Sequence, residues 1–199
     1  SPSLSNINAQ CSVTPPTPTT TDACVGTING TTVTSFPITT QGTTVVTWVF
    51  NDGNGNTSTA LQNVIIDDTT PPTSPSLSNI NAQCSATPPT PTTTDACVGT
   101  INGTTVTSFP ITTQGTTVVT WVFNDGNGNS STALQNVIID DTTPPSSPAL
   151  SNINAQCSAT PPTPTATDAC VGTINGTTVT TFPITTQGTT VVTWIFNDG

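Results

Sequence analysis

Residues 43–66 carry the clearest alternation in the chain. Thr43-Thr44-Val45-Val46-Thr47-Trp48-Val49-Phe50 is an unbroken run of β-branched and aromatic residues, the composition of a pleated, half-buried strand. At period two, Val46, Trp48 and Phe50 share one face, and Val45, Thr47 and Val49 share the other. Asp52-Gly53-Asn54-Gly55-Asn56 follows, dense in residues that tolerate positive φ, so the chain reverses there. Ala60–Ile66 is the return strand. The prolines of Asp67-Asp68-Thr69-Thr70-Pro71-Pro72 end it, because they supply no ladder donor. The pattern predicts a β-hairpin with Trp48 at the centre of a core that includes Phe36, Phe50, Leu61 and Ile65. No window shows a 3.6-residue apolar period, so no helix is expected.

The hairpin recurs at residues 116–141 and begins again at Thr189. Ser1, Ser74 and Ser147 open the same phrase, which makes the chain a tandem array of 73-residue units. The first two units differ only at Val13/Ala86, Thr57/Ser130 and Thr73/Ser146. The expected domains are 1–73 with a linker at 67–73, 74–146 with a linker at 140–146, and 147–199, truncated before its last strand. The period is too long for a solenoid and long enough for a small domain, which usually needs a staple. Cys11 with Cys24, Cys84 with Cys97, and Cys157 with Cys170 are the expected pairs, one local disulfide per unit in an oxidising compartment. Closing such a loop contributes roughly 3 kcal/mol in the chain-entropy model.

The remaining segments read as weaker strands and loops. Ser1–Gln10 is an edge strand leading into Cys11. Ser12–Ala23 is proline-rich and reads as a short extended edge followed by a loop. Val25–Ser35 alternates around Asn29-Gly30, a hairpin-type turn signal. Phe36-Pro37-Ile38 anchors a corner. Short strands between turn signals in a small disulfide unit indicate a β-sandwich, so the expected fold is all-β.

Composition excludes several function classes. The chain has no Lys, Arg or His, and all ten acidic residues are Asp. With nothing to neutralise phosphates, nucleic acid is excluded as a partner, and so is attachment to anionic lipid headgroups. No apolar run approaches the ~20 residues that span a bilayer, so no membrane insertion is expected. Catalysis would have to come from Asp alone, or from Ser or Thr without a basic partner, and the adjacent pair Asp67-Asp68 lies in a linker, so no enzyme is expected.

Three phrases carry a family resemblance: Thr21-Asp22-Ala23-Cys24, then Phe36-Pro37 with Gly42–Trp48, then Asp52 with Gly55-Asn56 and the joining Asp67–Pro72. Together they resemble the hyalin-repeat domain of the immunoglobulin-like superfamily. The resemblance covers each unit from about its first cysteine onward. It implies tandem immunoglobulin-like sandwiches of a long extracellular or cell-surface protein, often bacterial, associated with adhesion.

Two further constellations are chemical. Asp52, Asn54 and Asn56 place side-chain oxygens at alternate positions, as calcium loops do, with counterparts Asp125, Asn127 and Asn129 and, at the last turn, Asp198. In a sandwich of this kind the linker pair Asp67-Asp68 faces Asp95 and Asp125 of the next unit. Asp22, Asp140, Asp141 and Asp168 fill the equivalent places. Carboxylates converging without a basic partner repel, which a hard cation relieves; plain turn chemistry with solvated aspartates is the alternative. Asn29, Asn102 and Asn175 match the N-linked acceptor pattern, and Thr69 and Thr142 follow an aspartate as in short O-linked acceptors. No cofactor is required; calcium is the one candidate. The expected role is a structural repeat of an extracellular filament or surface fibre, partnered by copies of itself. The alternative is an adhesin stalk that recognises a glycan or a cell-surface protein.

Overall fold

The computed structural model describes residues 1–199. Twelve strands and no helix form the chain: β1 (Ile7–Ala9), β2 (Thr19–Asp22), β3 (Gly26–Asn29), β4 (Gly42–Asn51), β5 (Thr57–Ile66), β6 (Ile80–Ala82), β7 (Thr92–Asp95), β8 (Gly99–Asn102), β9 (Gly115–Asn124), β10 (Ser130–Ile139), β11 (Thr165–Asp168) and β12 (Gly172–Asn175). The predicted hairpin is β4–β5, antiparallel over its full length from Gly42↔Ile66 to Asn51↔Thr57. β1 adds to it in parallel, Ile7 level with Val64 and Ala9 with Ile66, giving the order β1-β5-β4. β2 and β3 form a second, two-stranded sheet. Bridges Thr31↔Val49 and Val13↔Ile38 tie the intervening segments together. The same orders recur as β6-β10-β9, β7-β8 and β11-β12. The fold is all-β, small sheets closing on an apolar interior as in a β-sandwich.

In the first repeat the core is Ile38, Val46, Trp48, Phe50, Ala60, Val64 and Ile66, with Phe36, Ile7 and Ile28 packed against it. The inner face of β4 is the predicted one. The return strand is not. Trp48 stands opposite Ala60, so Ala60, Gln62, Val64 and Ile66 share its face. Leu61 points outward and is 64% exposed, and Ile65 is only half-buried. The turn fixes this parity, and a one-residue slip would reverse every side chain of β5. Gln62 is buried because its Oε1 accepts from Trp48 Nε1 at 3.0 Å, while its Nε2 donates to Ser5 O at 3.1 Å.

Two other expectations need correction. The stretch Thr19–Asp22, read as loop, is a strand. The reversal between β2 and β3 occurs at residues 23–25, where Gly26 takes φ 87°, and not at Asn29-Gly30. Gly30 serves packing instead: a Cβ there would sit 3.0 Å from Phe50 Cε1 and 3.2 Å from Pro18 Cγ.

The disulfides also differ from the expected pairs. Cys11 bonds Cys97, and Cys84 bonds Cys170, each with Cα atoms 4.8 Å apart; Cys24 and Cys157 are free and exposed. No disulfide lies within a repeat. The register explains why. Cys11 follows Ala9, which is level with Ile66 at one end of β5. Cys24 lies in the β2–β3 turn, beyond Thr31, which is level with Val49 and through it with Thr59. Thr59 and Ile66 are about 23 Å apart along an extended strand, several times the reach of a disulfide. Sequence proximity therefore misleads, because the two cysteines sit toward opposite ends of the sandwich.

The chain divides into two compact units. One comprises Ser1–Leu77, Pro89–Val106 and Thr120–Leu134, and the other Ser78–Pro88, Thr107–Val119 and Gln135–Gly199. The first thus contains the Cys11–Cys97 bond and the second the Cys84–Cys170 bond.

Candidate functional site

The most extensively bonded feature of each unit, and its candidate site, is the join between one repeat and the next. In the first unit the join starts where β5 ends. Asp67 N donates to Ala9 O at 2.9 Å, and Asp68 N to Gln41 Oε1 at 3.0 Å. Gln10 reaches across with both ends of its amide, donating to Thr69 Oγ1 at 3.1 Å and accepting from Thr70 Oγ1. Thr70 N closes a local turn onto Asp68 Oδ1 at 3.1 Å. Two glutamines thus hold a segment whose prolines leave it few backbone partners.

Beyond the prolines the segment docks on the next repeat. Thr73 N donates to Thr94 O at 3.1 Å, and the Thr73 hydroxyl meets Thr93 Oγ1 at 2.7 Å. Ser74 Oγ donates to Thr132 O. From the β9–β10 turn, Asn127 Nδ2 donates to Asp68 Oδ2 at 3.2 Å, and Asn129 Nδ2 to Asp68 O at 2.8 Å. The Cys11–Cys97 bond makes the join covalent. Burial follows the docking. Asp68 is 3% exposed, Asp95 8% and Asp125 6%, whereas their first-repeat counterparts Asp22 and Asp52 are half-buried.

The sequence places Asp67, Asp68, Asp95 and Asp125 together; the structure brings together only two of them. Carboxylate oxygens of Asp68 and Asp95 and Sγ of Cys97 lie within 4.8 Å of one another. Asp67 is exposed. Asp125 turns back on its own loop, its Oδ1 accepting from Asn127 N at 2.8 Å and Asn129 N at 3.0 Å, and its Oδ2 from Asn129 Nδ2 at 2.8 Å. Burial opposes its charge, but the Asn129 amide and these N–H groups outweigh it, and its carboxyl is held below the usual range. Asp52 is held low in the same way, by the Asn56 side chain first and Asn54 N next. In both loops the aspartate's oxygens are occupied by their own turn, and Asn54 and Asn56 are exposed.

Asp95 has a different division of labour. Its Oδ1 accepts from Cys97 N at 2.8 Å and Val98 N at 3.0 Å, which fixes the turn that presents the cysteine. Its Oδ2 is buried with no hydrogen-bond partner. Asp168 repeats this: Oδ1 accepts from Cys170 N at 2.7 Å and Val171 N at 3.0 Å, and Oδ2 is unpartnered. These N–H groups hold the Asp168 carboxyl below its ordinary range. In the second unit Asp141, Asp168 and Cys170 converge as Asp68, Asp95 and Cys97 do. There Asp140 N donates to Ala82 O, Asp141 N to Gln114 Oε1, and Ser146 N to Thr167 O. Asp198 is half-buried at the last turn.

The candidate sugar acceptors are on the surface. Asn29, Asn102 and Asn175 are exposed at the ends of β3, β8 and β12, and Thr69 and Thr142 are exposed in the linkers. Residues that sequence reasoning missed are Gln10 and Gln41, their counterparts Gln83 and Gln114, and Thr73. The available signal was scarcity: each full repeat has three glutamines, and all three of the first repeat make long-range bonds.

No family model matches the chain. It is 35% identical over 187 residues to "Hyalin" of Lytechinus variegatus, covering 82% of this chain and 34% of that protein. It is 32% identical over 191 residues to "Hyalin" of Strongylocentrotus purpuratus, covering 82% of this chain and 15% of that protein. The similarity supports a hyalin-like domain, and the chain spans about a third or less of these relatives' length. With two disulfides formed, the protein is extracellular.

Proposed function

We propose that this chain is the repeating body of an extracellular filament or surface fibre, in which each repeat is locked to its successor. The observation that supports this reading most is the covalent join: the first cysteine of one repeat bonds the second cysteine of the next, twice in the same geometry. A disulfide inside a repeat would stabilise that repeat alone. A disulfide between repeats transmits tension past each linker and restrains rotation about it. Near-identical repeats suit a mechanical role that every copy performs equally.

Copies of the chain are the proposed partners. Val33, Val106 and Val179 are almost fully exposed, and Val45 and Leu61 with their counterparts Val118 and Leu134 add apolar surface at the same 73-residue spacing. Exposed apolar residues recurring at a fixed sequence spacing suit contact with an identical chain. Sugars on Asn29, Asn102 and Asn175 would coat such a fibre.

Electron microscopy of the native material, taken from its source, tests this reading. Ordered filaments with a repeating subunit are expected. Thin, unassociated strings ending in a distinct tip would overturn it in favour of an adhesin stalk.

A further inference from the structure

We infer that the Asn54-Gly55 turn is a site of spontaneous modification, in which Asn54 becomes aspartate or isoaspartate, and that docking of one repeat on the next shields the matching Asn127-Gly128. The inference is independent of the filament reading. The reaction consumes one water and releases ammonia. The Gly55 backbone nitrogen gives up its proton to base and attacks Cγ of Asn54. A C–N bond forms, the bond to Nδ2 breaks, and the nitrogen leaves as ammonia with the proton restored to it, closing a five-membered succinimide. Water then adds at either ring carbonyl and opens the ring, so the backbone continues through the α- or the β-carboxyl. Nothing is oxidised or reduced.

The chain has five Asn-Gly steps, at Asn29, Asn54, Asn102, Asn127 and Asn175, and the structure divides them. In three the attacking nitrogen is already engaged: Gly30 N donates to Pro18 O, Gly103 N to Pro91 O and Gly176 N to Pro164 O, each at 2.8 Å. These glycines are buried, so their amides react only from a locally opened state. Asn54 and Gly55 are both exposed, and neither the Asn54 side chain nor the Gly55 N–H carries a hydrogen bond. Asn127 has the same neighbours in sequence, from Asp125 to Asn129. There the leaving Nδ2 donates to Asp68 Oδ2 at 3.2 Å, and the Gly128 N–H faces the Asp125 carboxylate. Equal sequence with unequal engagement makes docking the source of the difference. Conversion of Asn127 would also replace a donor to Asp68 with a second carboxylate, so a join that reacted would lose a hydrogen bond and gain a like-charge contact.

The experiment ages the whole oxidised chain in mildly alkaline buffer, alongside the same chain reduced and unfolded in urea. Samples taken over time are cut before aspartate, and tandem mass spectra follow the mass gained when an amide becomes an acid. Thr57 and Ser130 distinguish the Asn54 peptide from the Asn127 peptide; Asn29 and Asn102 share one peptide sequence and are read together. In the folded chain Asn54 should convert about tenfold faster than Asn29, Asn102 and Asn175, and about threefold faster than Asn127. In the unfolded chain Asn54 and Asn127 should convert at the same rate, and the other three should approach it. Asp68→Ala, which removes the acceptor of Asn127 Nδ2, should bring Asn127 toward the Asn54 rate in the folded chain. An Asn54 that stays unmodified in the folded chain would overturn the inference. So would Asn29 and Asn102 converting as fast as Asn54 there, or Asn127 matching Asn54 in the folded, unaltered chain.

Discussion

At the scale of the residue, the buried polar contacts do as much as the apolar ones. Trp48 fills the core, and its indole N–H needs the Gln62 carbonyl that the opposite strand supplies. Gln62→Leu would leave that N–H and Ser5 O without their partner. We expect a loss of about 1–3 kcal/mol, read as a lower denaturation midpoint with unchanged slope. Asp52 and Asp125 give a pH signature. Both carboxyls are held below their ordinary value, by the Asn56 amide in the first case and, against the pull of burial, by Asn129 and Asn127 in the second. A depressed folded-state value means stability is present above the unfolded value of about 3.9 and is lost as pH falls through the lower one. The melting temperature should therefore fall between pH 5 and pH 2. Asp52→Asn with Asp125→Asn should flatten that fall. The inner face of β4 could be read from alternation alone. Leu61 could not, because its side of the sheet depends on the register that the turn sets, and the position that register turns inward is the polar Gln62.

At the scale of the element, the main hairpin was readable because it is long, and the edges were not because they are short. β4 and β5 have ten residues each, and their period and turn chemistry agree. β2 has four residues within a proline- and threonine-rich stretch, and its strand character comes from pairing with β3. Asn29-Gly30 looked like a turn, yet Gly30 is there because Phe50 and Pro18 leave no room for a side chain. Gly30→Ala should overpack the site and cost about 1–3 kcal/mol. It should show as a lower melting temperature of the first repeat. The β7–β8 turn presents Cys97 through the Asp95 carboxylate. Cys97→Ser should remove a bridge with a sequence separation of 86, worth roughly 4 to 5 kcal/mol in the chain-entropy model. Cys24→Ser should leave the melting temperature unchanged.

At the scale of the whole molecule, the organisation lies in the joins. The acidic linker and the next repeat's aspartate could be placed together from sequence, because hairpin turns and linkers meet end to end in such sandwiches. The pairing of the cysteines could not. It depends on where β1 and the β2–β3 turn fall along β5, and residues close in sequence end far apart in space. The chemistry of a staple was readable, and its partner was not. What a disulfide contributes is correspondingly different: it ties one repeat to the next and leaves Cys24 and Cys157 as free, exposed thiols.

Mapping the disulfides of the oxidised chain tests this organisation most directly. Free thiols would be alkylated, the protein denatured without reduction, and the chain cut before aspartate, since it has no Lys or Arg. Cleavage before Asp22 and Asp168 separates the cysteines of a repeat, and Thr181 and Ile195 mark the Cys170 peptide. The structure predicts the Cys84 peptide joined to that marked peptide, with Cys24 and Cys157 alkylated. The Cys157 peptide joined to the marked peptide, with no alkylated cysteine, would mean that each repeat is closed on itself, and would contradict the interlocked array.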